Sequence, residues 1–258
     1  MRDLATPVGI GLALVVVVGA NVLEGGNPMS LLLLPPMLLV FGVTILVTVA
    51  GGTLEDAKEA GRALKHAMTA KVSPASEVVP AVVTLAERAR REGLLALEES
   101  LADIDDPFLV KGVTLAIDGI DPEELRDILE AELAAKQRHD RHSAKFFGDA
   151  GAYAPTIGIV GTVMGLVHVL ERLASPEELG QLIAGAFVAT LWGVLSANVL
   201  WLPISNRLKR LSQLEVARME VVIEGVAAIQ AGANPRVIAQ KLGSLLVEPR
   251  ADDEAKAA

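Results

Sequence analysis

The sequence predicts an all-α integral membrane protein with four transmembrane helices in two hairpins, a large helical cytoplasmic loop between the hairpins, and cytoplasmic N- and C-termini. Three observations carry that prediction. Of the 258 residues, 52% are hydrophobic and only 3% aromatic, and the mean hydropathy is +0.45. That is too apolar for soluble domains and too poor in Tyr and Trp for a girdled transmembrane barrel. Four windows contain no ionised residue: Leu4–Leu23, Gly25–Leu54, Ala150–Leu170 and Leu179–Asn206. Each holds the roughly 20 residues, rising about 1.5 Å apiece, that cross a hydrocarbon core of roughly 30 Å. Finally, the short connections Glu24–Met29 and Glu171–Gln181 contain a single cation, Arg172, whereas Arg2, the cations between Gly51 and Asp149, and the cluster Arg207, Lys209 and Arg210 all fall on the opposite side. The positive-inside bias makes that side cytoplasmic.

In chain order, the spans are expected near 6–23, 30–50, 151–170 and 182–202. The first reads as a retained helix rather than a cleaved signal, because Asp3 stands beside Arg2 where a basic region belongs and a second span follows at once. Pro35-Pro36 inside the second span is expected to kink it and to shift its boundaries. These spans divide the chain into 1–50 (first hairpin), 51–149 (cytoplasmic helical loop), 150–203 (second hairpin) and 204–258 (cytoplasmic helices and charged tail). Within the loop, Leu54–Thr69 has apolar residues at helical spacing, and Ser73-Pro74 starts a helix over about 75–91. A short helix follows from Gly93 through Leu101, and Asp106-Pro107 opens another. Asp121-Pro122-Glu123-Glu124 combines an N-cap, a proline at the first helical position and a capping-box Glu, heading a helix that continues into the third span. The fourth span runs past Pro203 to Ile229, breaks at Gly232-Ala233-Asn234-Pro235 and is followed by a last short helix and the tail.

Several chemistries are excluded or weak. With no Cys there is no disulfide, thiolate nucleophile or iron–sulfur site, and a net charge of -9 argues against nucleic acid as a partner. No cofactor and no enzymatic reaction are expected. The spans hold no Asp, Glu, Lys or Arg, so the usual intramembrane ion carrier is missing. His168, near the outer end of the third span, is either a wet interfacial histidine or a proton relay. His139 and His142 have metal-like spacing but fit a solvated helix face better. Gly158 to Gly165 looks superficially like a phosphate loop but lacks its Lys and a preceding strand. The same stretch makes sense as a helix surface: Ala154, Gly158, Thr162 and Gly165 form one small-residue face on the third span, and Gly185, Ala189, Gly193 and Ala197 form another on the fourth, with Ala186 and Thr190 one position away extending that surface by one hydroxyl.

Four strings, in order and in matching topology, carry a family resemblance: Ala154-Pro155-Thr156-Ile157-Gly158-Ile159-Val160-Gly161-Thr162-Val163-Met164-Gly165-Leu166-Val167; Thr190-Leu191-Trp192-Gly193 to Pro203; Arg88-Ala89-Arg90-Arg91-Glu92-Gly93-Leu94-Leu95-Ala96-Leu97-Glu98-Glu99; and Gly225 through Ile238. Together they resemble the MotA family of flagellar motor stator subunits, especially its PomA-like branch. The resemblance implies a multi-pass protein of the bacterial inner membrane that forms a homopentameric ring around the single spans of a MotB- or PomB-type dimer. The partner's aspartate carries the ion, which answers the missing carboxylate, and ion flow turns the ring against the rotor protein FliG.

By match to the family's motifs, Arg90 and Glu98 are the rotor-contact pair, with Arg88 and Arg91 beside them. Read without the resemblance, the same charges form an ordinary solvated helix face. Pro155 and Pro203 match the family's two functional prolines and are read as conformational coupling points, with a static kink as the alternative. Gly158, Thr162 and Thr190 are assigned to the ion pathway. The two threonine hydroxyls match the sodium-driven branch and would act as transient Na+ ligands, so Na+ is preferred to H+ as the transported ion; the alternative is that they bond back to the preceding helical turn and only pack. Ala189 replaces the first of a threonine pair in that branch, and Asn27 stands where it carries an acid. An ExbB- or TolQ-type energiser, or a non-conducting membrane scaffold, are the other readings.

Overall fold

The computed structural model describes residues 4–70 and 73–246; Arg2, Asp3 and the charged tail beyond Leu246 lie outside the described residues. All regular structure among the described residues is helical. Four segments are long and apolar enough to cross a membrane: Ala5–Leu23, Pro28–Ala50, and parts of Pro122–Glu171 and Pro176–Gln230. The chain packs as two compact units, one built from residues 1–71 and 140–211, the other from 72–139 and 212–258. These units group residues by packing, whereas the four sequence segments group them by membrane topology.

The first unit contains α1 (Ala5–Leu23), which buries none of its residues, as suits a helix whose surroundings are lipid. The second span shows the shifted boundary but not the kink. Instead of one kinked helix it consists of a 3-10 turn (Pro28–Leu31), α2 (Leu34–Met37), a π-helical turn (Leu38–Gly42) and α3 (Val43–Ala50). Pro35 and Pro36 sit in the first turn of α2, where a missing N–H costs nothing. The prolines therefore begin a helix rather than bend one. The Leu31 carbonyl, which the N–H of residue 35 would serve in a continuous helix, accepts instead from Trp192 Nε1 at 2.6 Å. Asn27 caps the 3-10 turn by accepting from the Met29 N–H.

After Ala50 the chain turns into α4 (Leu54–Thr69) through a capping box: Asp56 N–H donates to Thr53 Oγ1, and Thr53 N–H donates to Asp56 Oδ2 at 2.7 Å. The Thr53 N–H first, and the Thr53 hydroxyl donating to the same Oδ2 at 2.8 Å second, hold the Asp56 carboxyl below its ordinary pKa. Small residues of α4, Ala60 and Ala67, join Ala144, Phe147, Ala150 and Ala154 of α7 (Pro122–Glu171) and Trp201, Ile204 and Leu208 in one buried cluster. The unit is completed by α8 (Pro176–Ser196), a π-helical turn (Ala197–Trp201) and the start of α9 (Leu202–Gln230).

The second unit contains α5 (Val79–Glu92), a ten-residue 3-10 helix (Leu94–Asp103), α6 (Pro107–Ile117), and α10 (Pro235–Leu245), with parts of α7 and α9. Pro74 opens only a 3-10 turn (Ala75–Glu77); the α-helix expected from residue 75 begins at Val79, with Pro80 in its first turn. The segment after Gly93 is helical as expected, but of the tighter kind. Asp106 caps α6 through the Phe108 and Leu109 N–H groups, and Asp121 accepts from Glu123 N–H at the head of α7. Leu97, Leu109, Leu125, Leu129, Val222, Val226, Ile238 and Leu242 form the centre of the core. Around it, Glu224 accepts from Arg126 at 2.7 Å and Lys241 at 2.6 Å, which lowers its pKa, Arg126 acting first. Gln230 Nε2 donates to the Ile120 carbonyl at 2.6 Å.

Candidate functional site

The small faces of the third and fourth spans meet each other. A methyl on Gly158 would stand 2.9 Å from the Ala189 carbonyl oxygen and 3.1 Å from Gly193 Cα. One on Gly193 would stand 2.8 Å from the Ala154 carbonyl. Two backbones approach this closely only where neither carries a side chain. The sequence-based ladders need two changes. Gly161 and Gly165 pack against the methyl groups of Ala189 and Ala186, so Gly161 and Ala186 belong to the contact; Gly185, whose added methyl would meet only Leu33 Cδ1 at 3.9 Å, does not. The helix drifts around its axis relative to a fixed four-residue spacing, and Ala186 replaces Gly185 one turn beyond Ala189.

The two threonines lie within this interface. Thr162 Oγ1 is 3.2 Å from the Gly158 carbonyl oxygen and 3.1 Å from that of Ala186, and it is hydrogen-bonded to Thr190 Oγ1. Thr190 Oγ1 is 3.4 Å from the Gly158 carbonyl. Four oxygens, two of them hydroxyl and two carbonyl, thus gather where the third and fourth spans cross. Two hydroxyl protons are available to this set, and each hydroxyl oxygen keeps lone-pair capacity. The Gly158 carbonyl is within reach of both hydroxyls. Bonding back to the preceding turn and bonding across the interface occur together.

Pro155 sits inside α7 without interrupting it. Pro203 is the second residue of α9, just past the π-helical turn Ala197–Trp201 that contains Val199 four residues back, and such a turn relieves the clash of a proline ring with that carbonyl. Pro203, Val199 and Asn198 face Gly9 and Ala13 of α1 across a groove of about 390 Å³. His168, His139 and His142 are exposed; among the described residues no three His, Cys, Asp or Glu are grouped to hold a metal ion.

Arg90, Arg91 and Glu98 are exposed, and no ion pair joins them to other described residues. Arg88 differs. Its guanidinium bonds Glu92 at 3.1 Å, Ser100 Oγ at 2.7 Å and Glu99 at 2.5 Å, and its pKa is raised by Glu99 first and Glu92 second. It clamps the end of α5 to the following 3-10 helix, a role that sequence spacing does not display because Glu99 and Ser100 lie beyond a turn. Gly93, at φ +89, makes that turn in a region of backbone space closed to other residues.

Comparison with known proteins agrees with this architecture. The model of the MotA/TolQ/ExbB proton channel family matches residues 100–221. Motility protein A of Bacillus subtilis is 39% identical over 241 residues, covering 93% of this chain and 89% of its own. Chemotaxis protein PomA of Vibrio alginolyticus is 33% identical over 249 residues, covering 95% of this chain and 96% of its own. The structure is similar to that of C. jejuni MotAB, with a TM-score of 0.90 at 30% identity over 96% of this chain and 98% of the other. With four apolar spans, a helical fold and relatives that match almost end to end, the chain belongs to the MotA family of flagellar motor stator subunits and is a multi-pass protein of the bacterial inner membrane.

Proposed function

We propose that this chain assembles as a homopentamer around a MotB-type single-span dimer, that the partner's aspartate carries the ion, and that ion flow turns the ring against FliG through Arg90, Arg91 and Glu98. The observation that carries this reading is a pair of spans with no Asp, Glu, Lys or Arg, packed so closely on each other that Ile159, Val160, Val163 and Met164 on α7 and Phe187 and Val194 on α8 remain exposed. Such a ring cannot offset the desolvation of an ion by itself and offers apolar surface to partner helices. Exposed charges contribute little static affinity but speed and steer contacts, as a stepping rotor contact requires. Pro155 and Pro203 are assigned to conformational coupling.

The transported ion is proposed to be Na+. Support comes from the oxygens of Thr162, Thr190, Gly158 and Ala186 gathered at the crossing of the third and fourth spans. Sodium is a hard cation that needs several oxygens in place of its water, whereas a proton needs only a carboxylate and a hydrogen-bonded route. Co-expression with a MotB-type partner in cells lacking their own stator tests the whole reading: swimming should be restored, and ion flux should require the partner. Flux through the purified chain alone would overturn the assignment of the carrier. Swimming speed should rise with external sodium at fixed pH and fall in Thr162→Ala; full motility in sodium-free potassium buffer assigns the motor to protons.

A further inference from the structure

We infer that Leu95 is an apolar anchor at the centre of the rotor-facing surface, so that the contact is a leucine ringed by charges rather than a charge pair alone. The inference rests on the reading of Arg90 and Glu98 as rotor-facing. Among the described residues of the second unit, the large hydrophobic side chains that stay exposed are Leu95, Val237 and Leu245, and Leu95 is the most exposed at 74%. It contributes little to the fold, since its neighbours Leu94 and Leu97 are the ones that pack into the core.

The placement of Leu95 follows from the type of helix. In a 3-10 helix residues three apart eclipse one another. Leu94, Leu97 and Ser100 therefore form the inward row, while Leu95 and Glu98 are exposed in a second row, about 6 Å apart along the axis, whose next member, Leu101, turns back onto the core at the end of the helix. Arg90 and Arg91 end α5 just before Gly93, placing both cations at the other side of the same turn. Arg88, bonded to Glu92, Glu99 and Ser100, holds the two helices together, so that Leu95 is presented on a fixed support. A desolvated apolar centre inside a polar rim is how protein contacts concentrate their affinity, and a preorganised support reduces the entropy lost on docking.

Charge complementarity defines the partner surface: an apolar recess flanked by an acid that meets Arg90 or Arg91 and a base that meets Glu98. Rim charges would set the encounter rate, and Leu95 the lifetime of each contact.

The test uses cells carrying this chain, its MotB-type partner and the rotor, with motor torque read from bead rotation and ion flux measured on the same complexes. Leu95→Asp should lower torque several-fold with ring assembly and ion flux retained, and Leu95→Met should keep most of it. Normal torque in Leu95→Asp while Arg90→Glu is impaired would overturn the anchor and leave the rotor-facing surface standing. Normal torque in both would overturn the surface itself. Should the Asp variant fail to assemble, the uncharged Leu95→Ser is judged by the same outcomes.

Discussion

Gly158→Ala is the sharpest perturbation of the interface between the third and fourth spans. The added methyl would sit 2.9 Å from the Ala189 carbonyl oxygen, 3.1 Å from Gly193 Cα and 3.2 Å from Thr190 Cα. All three neighbours are backbone atoms, so no side-chain rotation relieves the contact. Reaching the roughly 3.5 Å of an unstrained contact requires the helices to part by about 0.6 Å. Overpacking of this kind costs about 1–3 kcal/mol, and here the upper part of that range applies because the backbone must yield. Against this stands about 1 kcal/mol of helix propensity gained on replacing Gly by Ala. The net expectation is a loss of about 2 kcal/mol, close to 30-fold in the folding equilibrium, together with loosening of the Thr162–Thr190 hydrogen bond. Gly185→Ala, on the facing fourth span, is the control: its methyl would meet only Leu33 Cδ1 at 3.9 Å, so it should be neutral or slightly stabilising. Denaturation of the two purified variants and the parent in detergent, followed by tryptophan fluorescence, makes the comparison. A Gly158→Ala protein as stable as its parent would show that the backbones are not in the contact described.

Three further outcomes follow from the same geometry. Trp192→Phe keeps the ring beside Phe41, whose centroid is 5.7 Å away, but removes the donor to the Leu31 carbonyl that Pro35 cannot serve; a loss of about 1–3 kcal/mol is expected, and an unchanged denaturation midpoint counts against that role. Gly93→Ala forces a side chain into φ +89 at a cost of about 1–3 kcal/mol, to be seen as faster hydrogen exchange in residues 94–103 without faster exchange in the membrane spans. Glu224, held below its ordinary pKa by Arg126 and then Lys241, stabilises its unit fully above the ordinary carboxylate value, and that contribution disappears as pH falls through the depressed one. Acid titration of the full chain should therefore destabilise the parent, while Glu224→Gln should be weaker near neutrality and flatter towards acid; parallel profiles would contradict the pairing.

Much of the fold was legible because its signals are local. The proline and aspartate before α6 and α7, the positive-φ Gly232 before α10 and the four charge-free windows each act within a few residues of themselves. The capping box at Thr53 and Asp56 is equally local, but the apolar spacing of Leu54–Thr69 does not display it. The candidate sites were less legible. The sequence placed Gly158, Thr162 and Thr190 on small-residue faces, but whether those faces met lipid, a neighbour or each other depends on residues 24 to 32 positions apart. Arg88 stood in line with Arg90 and Arg91, yet its partners Glu99 and Ser100 lie across the Gly93 turn.

By itself, the sequence determined the membrane class, the number and orientation of the spans and the starts of α6, α7 and α10, because the cost of placing an ion or an unpaired backbone group in hydrocarbon is large and the caps act residue by residue. The tertiary structure decided the rest: that the second span begins twice around Pro35-Pro36, that Ala186 rather than Gly185 meets Gly165, that the segment after Gly93 is a 3-10 helix with Leu95 and Glu98 in one row, and that Arg88 is a clamp. These outcomes turn on contacts of a few tenths of an ångström between helices distant in sequence, and close-packed surfaces settle such differences only when both partners are in place.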